Sequence, residues 1–256
     1  MLNESIECIH TMTGDIQPML LLLLYGAPVN QRMTNTSGMT PLHTACFHYQ
    51  PDACVLLVSF DADTNILSGD DYNIIDLLID RPDRNDYRAC MMLTHLLDVK
   101  SDLDISSCNS RGQTPAILAV NMMVDGDGED TFNFLCEHGA DLSIGEVVTG
   151  RTVLPELAQV GLFTYVEKVL KKLSEIPVYS DIKDIEGETP ESIARDSVAR
   201  CAARPEAMYL ETGARYLRIA DLIHRYSREF AVNNWRKRTR GGLQTDGGHK
   251  RTRPGV

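Results

Sequence analysis

The residues best suited to chemistry lie within one short stretch, SGMTPLHTACFHYQ, at positions 37–50. His43 follows Thr40 by three residues and precedes Cys46 by three. A histidine beside a hydroxyl or a thiol could act as a general base toward a nucleophile. The neighbours of His43 favour a structural role instead, because Thr40 is a natural N-cap residue and Pro41 suits the first position of a helix. We therefore predict no catalytic residue at this place.

Other chemical motifs are incomplete. The remaining histidines lack metal-ligand spacing, and the seven cysteines contain no CxxC pair, so zinc is a minor alternative to buried structural thiols. The stretch DGDGED at 125–130 resembles a calcium loop, but Asp130 stands where that loop requires glycine and Cys136 where it requires glutamate. No nucleophile elbow, phosphate loop or dinucleotide fingerprint occurs. The sequence predicts a non-enzyme without metal, cofactor or small-molecule substrate.

Composition is that of an ordinary globular protein, with 43% apolar and 24% charged residues among 256. The longest apolar run, Met19 to Leu24, is far shorter than the ~20 residues that a membrane-spanning helix needs. No secretory signal stands out, and an odd number of cysteines is typical of a reducing compartment. We expect the protein to lie in the cytoplasm, the nucleus or both.

Charge is distributed unevenly along the chain. Residues 233–256 carry seven basic side chains and one acidic one, a net of +6, whereas the other 232 residues carry 18 basic and 35 acidic ones, a net of −17. This tail is either a flexible soluble end or a signal for nuclear import or phosphate contact. Its basic residues are Arg236, Lys237, Arg238, Arg240, Lys250, Arg251 and Arg253.

A repeat runs through the rest of the chain. A glycine or an aspartate recurs before a Thr-Pro-like pair at intervals of 33, 41, 38 and 37 residues. These positions are Gly38, Asp71, Gly112, Gly150 and Gly187. Between them, apolar pairs followed by a Gly-Ala-Asp-like turn recur in LLLLYGAPVN, LLVSFDADTN, HLLDVKSDLD and FLCEHGADLS. Length varies at RPDRND and VDGDGED, which places the insertions between the two helices of a repeat.

The TPLHTA motif and its period resemble the ankyrin repeat, in which a β-turn precedes two antiparallel helices. The resemblance covers nearly all of residues 1–232 and implies an all-α solenoid with a C-terminal capping helix near 214–231. We expect about six helix-turn-helix repeats, of which the last two are degenerate, followed by a flexible basic tail at 233–256. The predicted repeats are 2–35, 36–68, 69–109, 110–147, 148–184 and 185–232.

The repeat also predicts local structure. Thr-Pro pairs should begin helices at Thr40, Thr114 and Thr189, and Gly26 and Gly139 should end helices in the left-handed conformation. In the resembled family the motif histidine joins neighbouring hairpins by hydrogen bonds, which implies that role for His43. An apolar stripe should bury one repeat against the next. Its members are Leu22, Leu23, Leu57, Val58, Leu96, Leu97 and Leu135, and the last helix should bury Leu217, Ala220, Ile223 and Phe230.

The resemblance implies binding of a partner protein through the hairpin tips and the concave face of the first helices. The candidate contact residues are Met39, His48, Tyr49, Tyr72, Gln113, Arg151 and Glu188. Tyr49 and Tyr72 could equally cover apolar surface between repeats. Asp61, Asp63, Asp70 and Asp71 form either a negative patch for a basic partner or an ordinary solvated surface.

Two roles fit these expectations. The chain could inhibit its partner by masking a basic region, as family members do with Rel-type transcription factors. Alternatively it could be an adaptor or scaffold subunit, such as a ubiquitin-ligase substrate receptor or a tethering factor, with the basic tail directing nuclear or phosphate contacts. Nucleic-acid binding is disfavoured by the acidic body, and only the tail could supply it.

Overall fold

A computed structural model describes residues 16–34, 37–80, 85–173, 182–203 and 207–241, with side chains for all of these except 207–209 and 232–241. These residues contain helices and no strand. The helices are α1 (Gln17–Leu24), α2 (Pro41–Phe47), α3 (Pro51–Ser59), α4 (Ile74–Ile79), α5 (Asp86–Val99), α6 (Pro115–Met123), α7 (Glu129–Glu137), α8 (Val153–Val160), α9 (Phe163–Leu173), α10 (Pro190–Ala202) and α11 (Ala207–Gly241). The chain divides into two compact units, residues 1–156 and 157–256, and the division falls within α8.

The first compact unit is a stack of helix pairs. The pairs α2–α3, α4–α5 and α6–α7 each pack internally. The first helix of each pair also contacts the first helix of the next, and the second helices do the same. Each pair thus buries its apolar surface mainly against its neighbours in sequence, which is the arrangement predicted for a repeat array.

Three helices begin as the Thr-Pro motif predicts. The hydroxyl oxygens of Thr40, Thr114 and Thr189 accept hydrogen bonds from backbone N–H groups in the first turns of α2, α6 and α10, and proline follows each threonine. The third predicted repeat lacks this pair, and Asn73 replaces the threonine. Its Oδ1 accepts from the N–H groups of Ile75 and Asp76, both at 2.8 Å. Asparagine is therefore as effective a cap for α4 as threonine is for α2 and α6.

Left-handed backbone recurs at the repeat positions. Gly38, Asp71, Gly112, Gly150 and Gly187 have φ of 52°, 65°, 74°, 70° and 84°. The predicted helix ends at Gly26 and Gly139 are confirmed, with φ of 82° and 89°. Glycine and aspartate tolerate this conformation better than most residues, which explains why these two types mark the period.

The predicted apolar stripe contributes one buried leucine from each of α1, α3, α5 and α7. Leu23, Leu57, Leu96 and Leu135 are buried, whereas Leu22, Val58 and Leu97 beside them are partly exposed. Burying a leucine stabilises a protein by roughly 1.5–3 kcal/mol. The stripe is therefore correct in place but narrower than the sequence indicated.

The last residue of one insertion, Asp86, contacts the helix start that follows the other insertion. Gly128 precedes α7 and has no side chain with which to cap it. Asp86, in the first turn of α5, provides the cap: its carboxylate accepts from the N–H groups of Asp130 at 2.8 Å and Thr131 at 3.0 Å, and from the Thr131 hydroxyl. The acidic stretch at 125–130 thus includes a helix start that is held by a neighbouring repeat.

In the second compact unit, α11 packs against both α9 and α10. It begins at Ala207 and ends at Gly241, so it is longer than the predicted 214–231 and includes residues 233–241, which the sequence assigned to a tail. Ile219, Ala220, Leu222 and Ile223 form its buried side. The prediction that Leu217 lies on that side is wrong, because this side chain is 45% exposed.

The sequence predicts buried cysteines, and only some of the described cysteines are buried. Cys46, Cys54 and Cys136 are buried, Cys90 and Cys201 are partly exposed, and Cys108 is exposed, while Cys8 lies outside the described residues. Burial raises the pKa of the Cys54 thiol, and the contact with Cys46, 3.7 Å between the sulfurs, raises it further. No helix among the described residues has the length and apolarity to cross a membrane.

Candidate functional site

Five of the seven predicted contact residues each close a hairpin with their backbone carbonyl. They are Met39, Tyr72, Gln113, Arg151 and Glu188. The carbonyl oxygens accept N–H groups from the start of the same hairpin at 2.8–3.1 Å. These donor and acceptor pairs are Met33 and Met39, Ser68 and Tyr72, Asn109 and Gln113, Glu146 and Arg151, and Asp184 and Glu188. The five residues are therefore fixed in position by the backbone, whatever their side chains contact.

The five residues are not the outermost parts of their hairpins. Met39, Tyr72, Gln113, Arg151 and Glu188 are all half-buried. In the four later hairpins the exposed residues other than glycine come one to four positions earlier, and the sequence indicated only Asp70 and Asp71 among them. These exposed residues are Asp70, Asp71, Ser110, Arg111, Val147, Val148, Ile185 and Glu186. Spacing within the motif identified the closing residue of each hairpin, and the turn itself lies before it.

Neighbouring hairpins in the first compact unit are joined directly. The N–H of Gly69 donates to the carbonyl of Ser37 at 2.8 Å. The Gln113 amide donates to the Glu146 carboxylate at 2.7 Å. Hydrogen bonds between consecutive hairpins hold their turns in register, so the first compact unit presents them as one preorganised edge.

His43 joins two hairpins, as the resemblance implied. Its Nδ1 lies 2.7 Å from the Thr40 hydroxyl and its Nε2 lies 3.2 Å from the Tyr72 carbonyl oxygen. Burial lowers the pKa of His43 from 6.5 to about 4. Both ring nitrogens are used and the side chain is fully buried, so His43 supports the fold and has no access to a substrate.

In the next repeat Asn73 and Asp76 occupy the positions of Thr40 and His43. The Asn73 amide donates to the Ser107 carbonyl at 3.3 Å, so it bridges to the following hairpin as His43 does. The Asp76 carboxylate accepts from the Asn73 N–H at 3.1 Å. Asn73 thus both caps its helix and bridges to the next hairpin, two roles that Thr40 and His43 share in the preceding repeat.

His48 and Tyr49 follow α2. His48 is the C-cap residue of α2 and its ring meets that of Phe47 edge to face, with centroids 5.2 Å apart. Tyr49 has φ of 50°, and the Arg88 guanidinium lies over its ring, 5.7 Å from the centroid. This contact supports the alternative that Tyr49 covers surface between repeats, because Arg88 belongs to the following helix pair.

Tyr72 lies at the start of α4 and reaches the other end. Its phenol donates to Oδ2 of Asp80 at 2.8 Å, and Asp80 is the exposed C-cap residue of α4. This hydrogen bond and partial burial raise the pKa of Tyr72. The sequence pattern indicated Tyr72 but not Asp80. The signal was present, because Tyr72, Asp76 and Asp80 follow one another at intervals of four residues, which places the two aspartates on one side of the helix.

The two compact units differ in net charge. Residues 1–156 carry 7 basic and 23 acidic side chains, a net of −16, and residues 157–256 carry 18 and 13, a net of +5. Four aspartates singled out by the sequence are exposed. Asp61 and Asp63 lie in the loop after α3, and Asp70 and Asp71 lie in the hairpin turn that follows. The excess of acidic side chains therefore lies in residues 1–156.

Other predicted site residues have mixed outcomes. Arg236, Lys237, Arg238 and Arg240 fall in the last turns of α11, where only the backbone is described, and Lys250, Arg251 and Arg253 lie outside the described residues. Within the described part of the chain, no three histidine, cysteine or acidic side chains are grouped so that they could hold a metal ion.

Comparisons with known proteins agree on the fold. A family model described as the ankyrin repeat matches residues 37–69. Similar solved structures include the ankyrin repeat domain of Bcl-3, described as a unique member of the IkappaB protein family (TM-score 0.58, 19% identity, 87% of this chain and 95% of that one). They also include the ankyrin repeat protein EF0377 (0.59, 20%, 88% and 96%) and an ankyrin repeat domain from Acinetobacter baumannii (0.61, 19%, 88% and 96%). No curated protein sequence matches the chain.

Proposed function

We propose that this chain, an ankyrin-repeat protein, binds a partner protein through its hairpin turns and the adjoining face of its first helices. Ankyrin repeats are general protein–protein interaction modules, and the family and fold matches support that level of description. The observation that carries the proposal is the row of hairpins joined to one another by hydrogen bonds, with Asp70, Asp71 and Tyr72 at its acidic part.

Preorganisation favours binding at this row. Gly69 is hydrogen-bonded to the preceding hairpin, and Asp71 donates its N–H to Ser68 at 3.2 Å. Ordering a flexible surface on binding costs about 0.5–1.5 kcal/mol for each immobilised side chain. A surface that is already fixed avoids part of that cost, so a modest contact area is sufficient for specific recognition.

Charge supports a basic partner segment. The first compact unit has a net charge of −16, and the hairpin aspartates are exposed. Opposite charge raises the rate of encounter and disfavours acidic partners. We infer that the chain acts by covering a basic region of its partner, in the manner of an inhibitor of a transcription-factor-like protein, in the cytoplasm or nucleus and without catalysis.

The test is capture of partners from cell lysate by the intact protein and by a double variant, Asp70→Asn with Asp71→Asn. Asparagine keeps the size of each side chain and tolerates the left-handed backbone at Asp71, so folding is preserved while two charges are removed. We expect a partner that the intact protein retains to be depleted at least ~10-fold by the variant, because interfacial charge pairs commonly contribute 1.4 kcal/mol or more. Quantitative mass spectrometry measures the depletion.

The matched control is Asp98→Asn with Asp102→Asn, which removes two exposed charges at the end of α5 and after it. It should retain the partner, and both variants should give the circular dichroism of the intact protein. Equal loss in both double variants would show attraction by net charge alone and would contradict binding at the hairpins.

A second candidate is an adaptor whose basic carboxy-terminal segment makes nuclear or phosphate contacts. It is favoured by the continuation of α11 to Gly241, which gives residues 236–240 a helical backbone. A chain ending at Val232 separates the two functions. Partner capture that survives this truncation supports the hairpins, and capture that requires residues 233–256 supports the adaptor.

A further inference from the structure

Tyr72 and Asp80 make one connected surface feature in the first compact unit. The Tyr72 phenol donates to Oδ2 of Asp80 at 2.8 Å. Tyr72 precedes the cap of α4 and Asp80 follows its last residue, so the half-buried ring lies along the helix. The hydrogen bond orients the ring and occupies one carboxylate oxygen, and the exposed Asp80 side chain keeps its other oxygen for a further donor.

A second carboxylate lies one helical turn from Asp80 and lacks a full set of partners. Asp76 is fully buried, and while its Oδ2 accepts from Asn73, its Oδ1 has no hydrogen-bond partner among the described residues. Asp80 acts on it electrostatically and contributes to raising its pKa. Within the same described part of the chain, neither carboxylate pairs with a lysine, an arginine or a histidine. The exposed Asp80 carboxylate is therefore the negative charge at this end of α4 that a cation from outside would neutralise.

The combination of an oriented aromatic ring and a carboxylate suits arginine best. A guanidinium can stack on an aromatic face and at the same time donate a hydrogen bond to a carboxylate. A lysine ammonium behaves as a point charge and does not stack in this way. The chain uses the same stacking in the preceding repeat, where Arg88 lies over Tyr49 at 5.7 Å. At Tyr49 the stacked arginine comes from the chain itself. Among the described residues, no arginine is stacked on the Tyr72 ring.

We propose that the Tyr72 ring and the Asp80 carboxylate receive one arginine side chain of a basic partner segment. This receptor rests on the proposed function and adds to it the identity of the anchoring side chain. Arg111, exposed on the next hairpin, is close enough for its charge to lower the pKa of Tyr72. It therefore opposes an incoming arginine electrostatically and limits the affinity of the wild-type receptor.

The test measures binding of a fluorescent peptide of alternating arginine and serine to the full chain by fluorescence anisotropy. Asp80→Asn is expected to weaken binding about 10-fold, as loss of one charge-assisted hydrogen bond does. Asp98→Asn removes the same charge from the exposed end of α5 and should weaken it less than about twofold, as a screened surface charge does. Arg111→Gln should strengthen binding, and a lysine–serine peptide should bind more weakly than the arginine peptide.

Thermal unfolding of each variant confirms that the fold is retained. Equal weakening by Asp80→Asn and Asp98→Asn would overturn the receptor, because net charge would then explain the peptide's affinity. A lysine peptide that binds as tightly as the arginine peptide would overturn the assignment of arginine. The proposed function is tested separately from this receptor. Lysate capture can depend on Asp70 and Asp71 even if Asp80→Asn has no effect on peptide binding.

Discussion

The Asp76→Asn variant is expected to gain stability relative to the wild-type protein by about 3 kcal/mol as the pH rises from 4 to 7. Burial is the main cause that raises the pKa of Asp76 from 3.8 to about 7 in the folded protein, and the charge of Asp80 adds to it. Each pKa unit corresponds to 1.36 kcal/mol. Between these two pH values the folded protein keeps a proton that the unfolded chain has lost, so wild-type stability falls as the pH rises.

The structural reason is the Oδ1 atom of Asp76, which is buried without a hydrogen-bond partner among the described residues. An asparagine keeps an oxygen to accept from the Asn73 N–H and carries no charge at any pH. Urea unfolding from pH 4 to pH 8 measures the difference. The exposed Asp98→Asn variant should follow the wild-type profile, and a difference between Asp76→Asn and wild type that is the same at pH 4 and pH 8 would contradict the account.

His43 has the opposite effect in the wild-type protein. Its pKa is lowered from 6.5 to about 4 by burial, so its contribution is complete above pH 6.5 and is lost as the pH falls toward 4. Between pH 4 and 6.5 the contributions of Asp76 and His43 therefore oppose each other. Removal of the aspartate leaves the histidine effect alone, and the variant should become more stable with rising pH over this range.

Gly112→Ala is expected to destabilise the first compact unit by about 3 kcal/mol or more. Gly112 has φ of 74°, which costs a residue with a Cβ roughly 1–2 kcal/mol. A Cβ at this position would also lie 2.5 Å from the backbone nitrogen of Val147 in the next hairpin, and closer still to the valine side chain. Such overpacking typically costs another 1–3 kcal/mol.

Gly126→Ala is the matched control for this variant. Gly126 has φ of 90° but nothing within 4 Å of the added Cβ, so only the backbone cost applies. Urea unfolding monitored by circular dichroism should place Gly112→Ala at least about 1 kcal/mol below Gly126→Ala. Equal losses in the two variants would show that the hairpins at Gly112 and Val147 are not in close contact.

Local structure was predictable because it depends on short-range rules. Thr-Pro pairs specify helix starts, and glycine after the last apolar residues specifies a left-handed helix end, so Thr40, Thr114 and Gly139 behave as the sequence indicates. The bridging role of His43 followed from the resemblance to a family. These features are confirmed because each is decided within a few residues or by a motif that recurs along the chain.

Features that depend on distant packing were missed. Which side of α11 is buried is decided by α9 and α10, so spacing alone placed Leu217 wrongly. The cap of α7 comes from Asp86, more than forty residues earlier, and no local sequence pattern predicts this contact. The four-residue spacing of Tyr72, Asp76 and Asp80 is visible in the sequence, but the phenol contact depends on how the ring lies along the folded helix.

The central claim is that the hairpin row of the first compact unit holds the partner. Carbodiimide labelling of carboxylates, read by mass spectrometry, tests it directly on the chain with and without a captured partner. We predict that binding protects Asp70 and Asp71, which are exposed in the hairpin turn, and leaves the exposed Asp98 and Asp221 labelled as before. Protection confined to Asp221 and Glu229 on α11, with Asp70 and Asp71 unchanged, would contradict it.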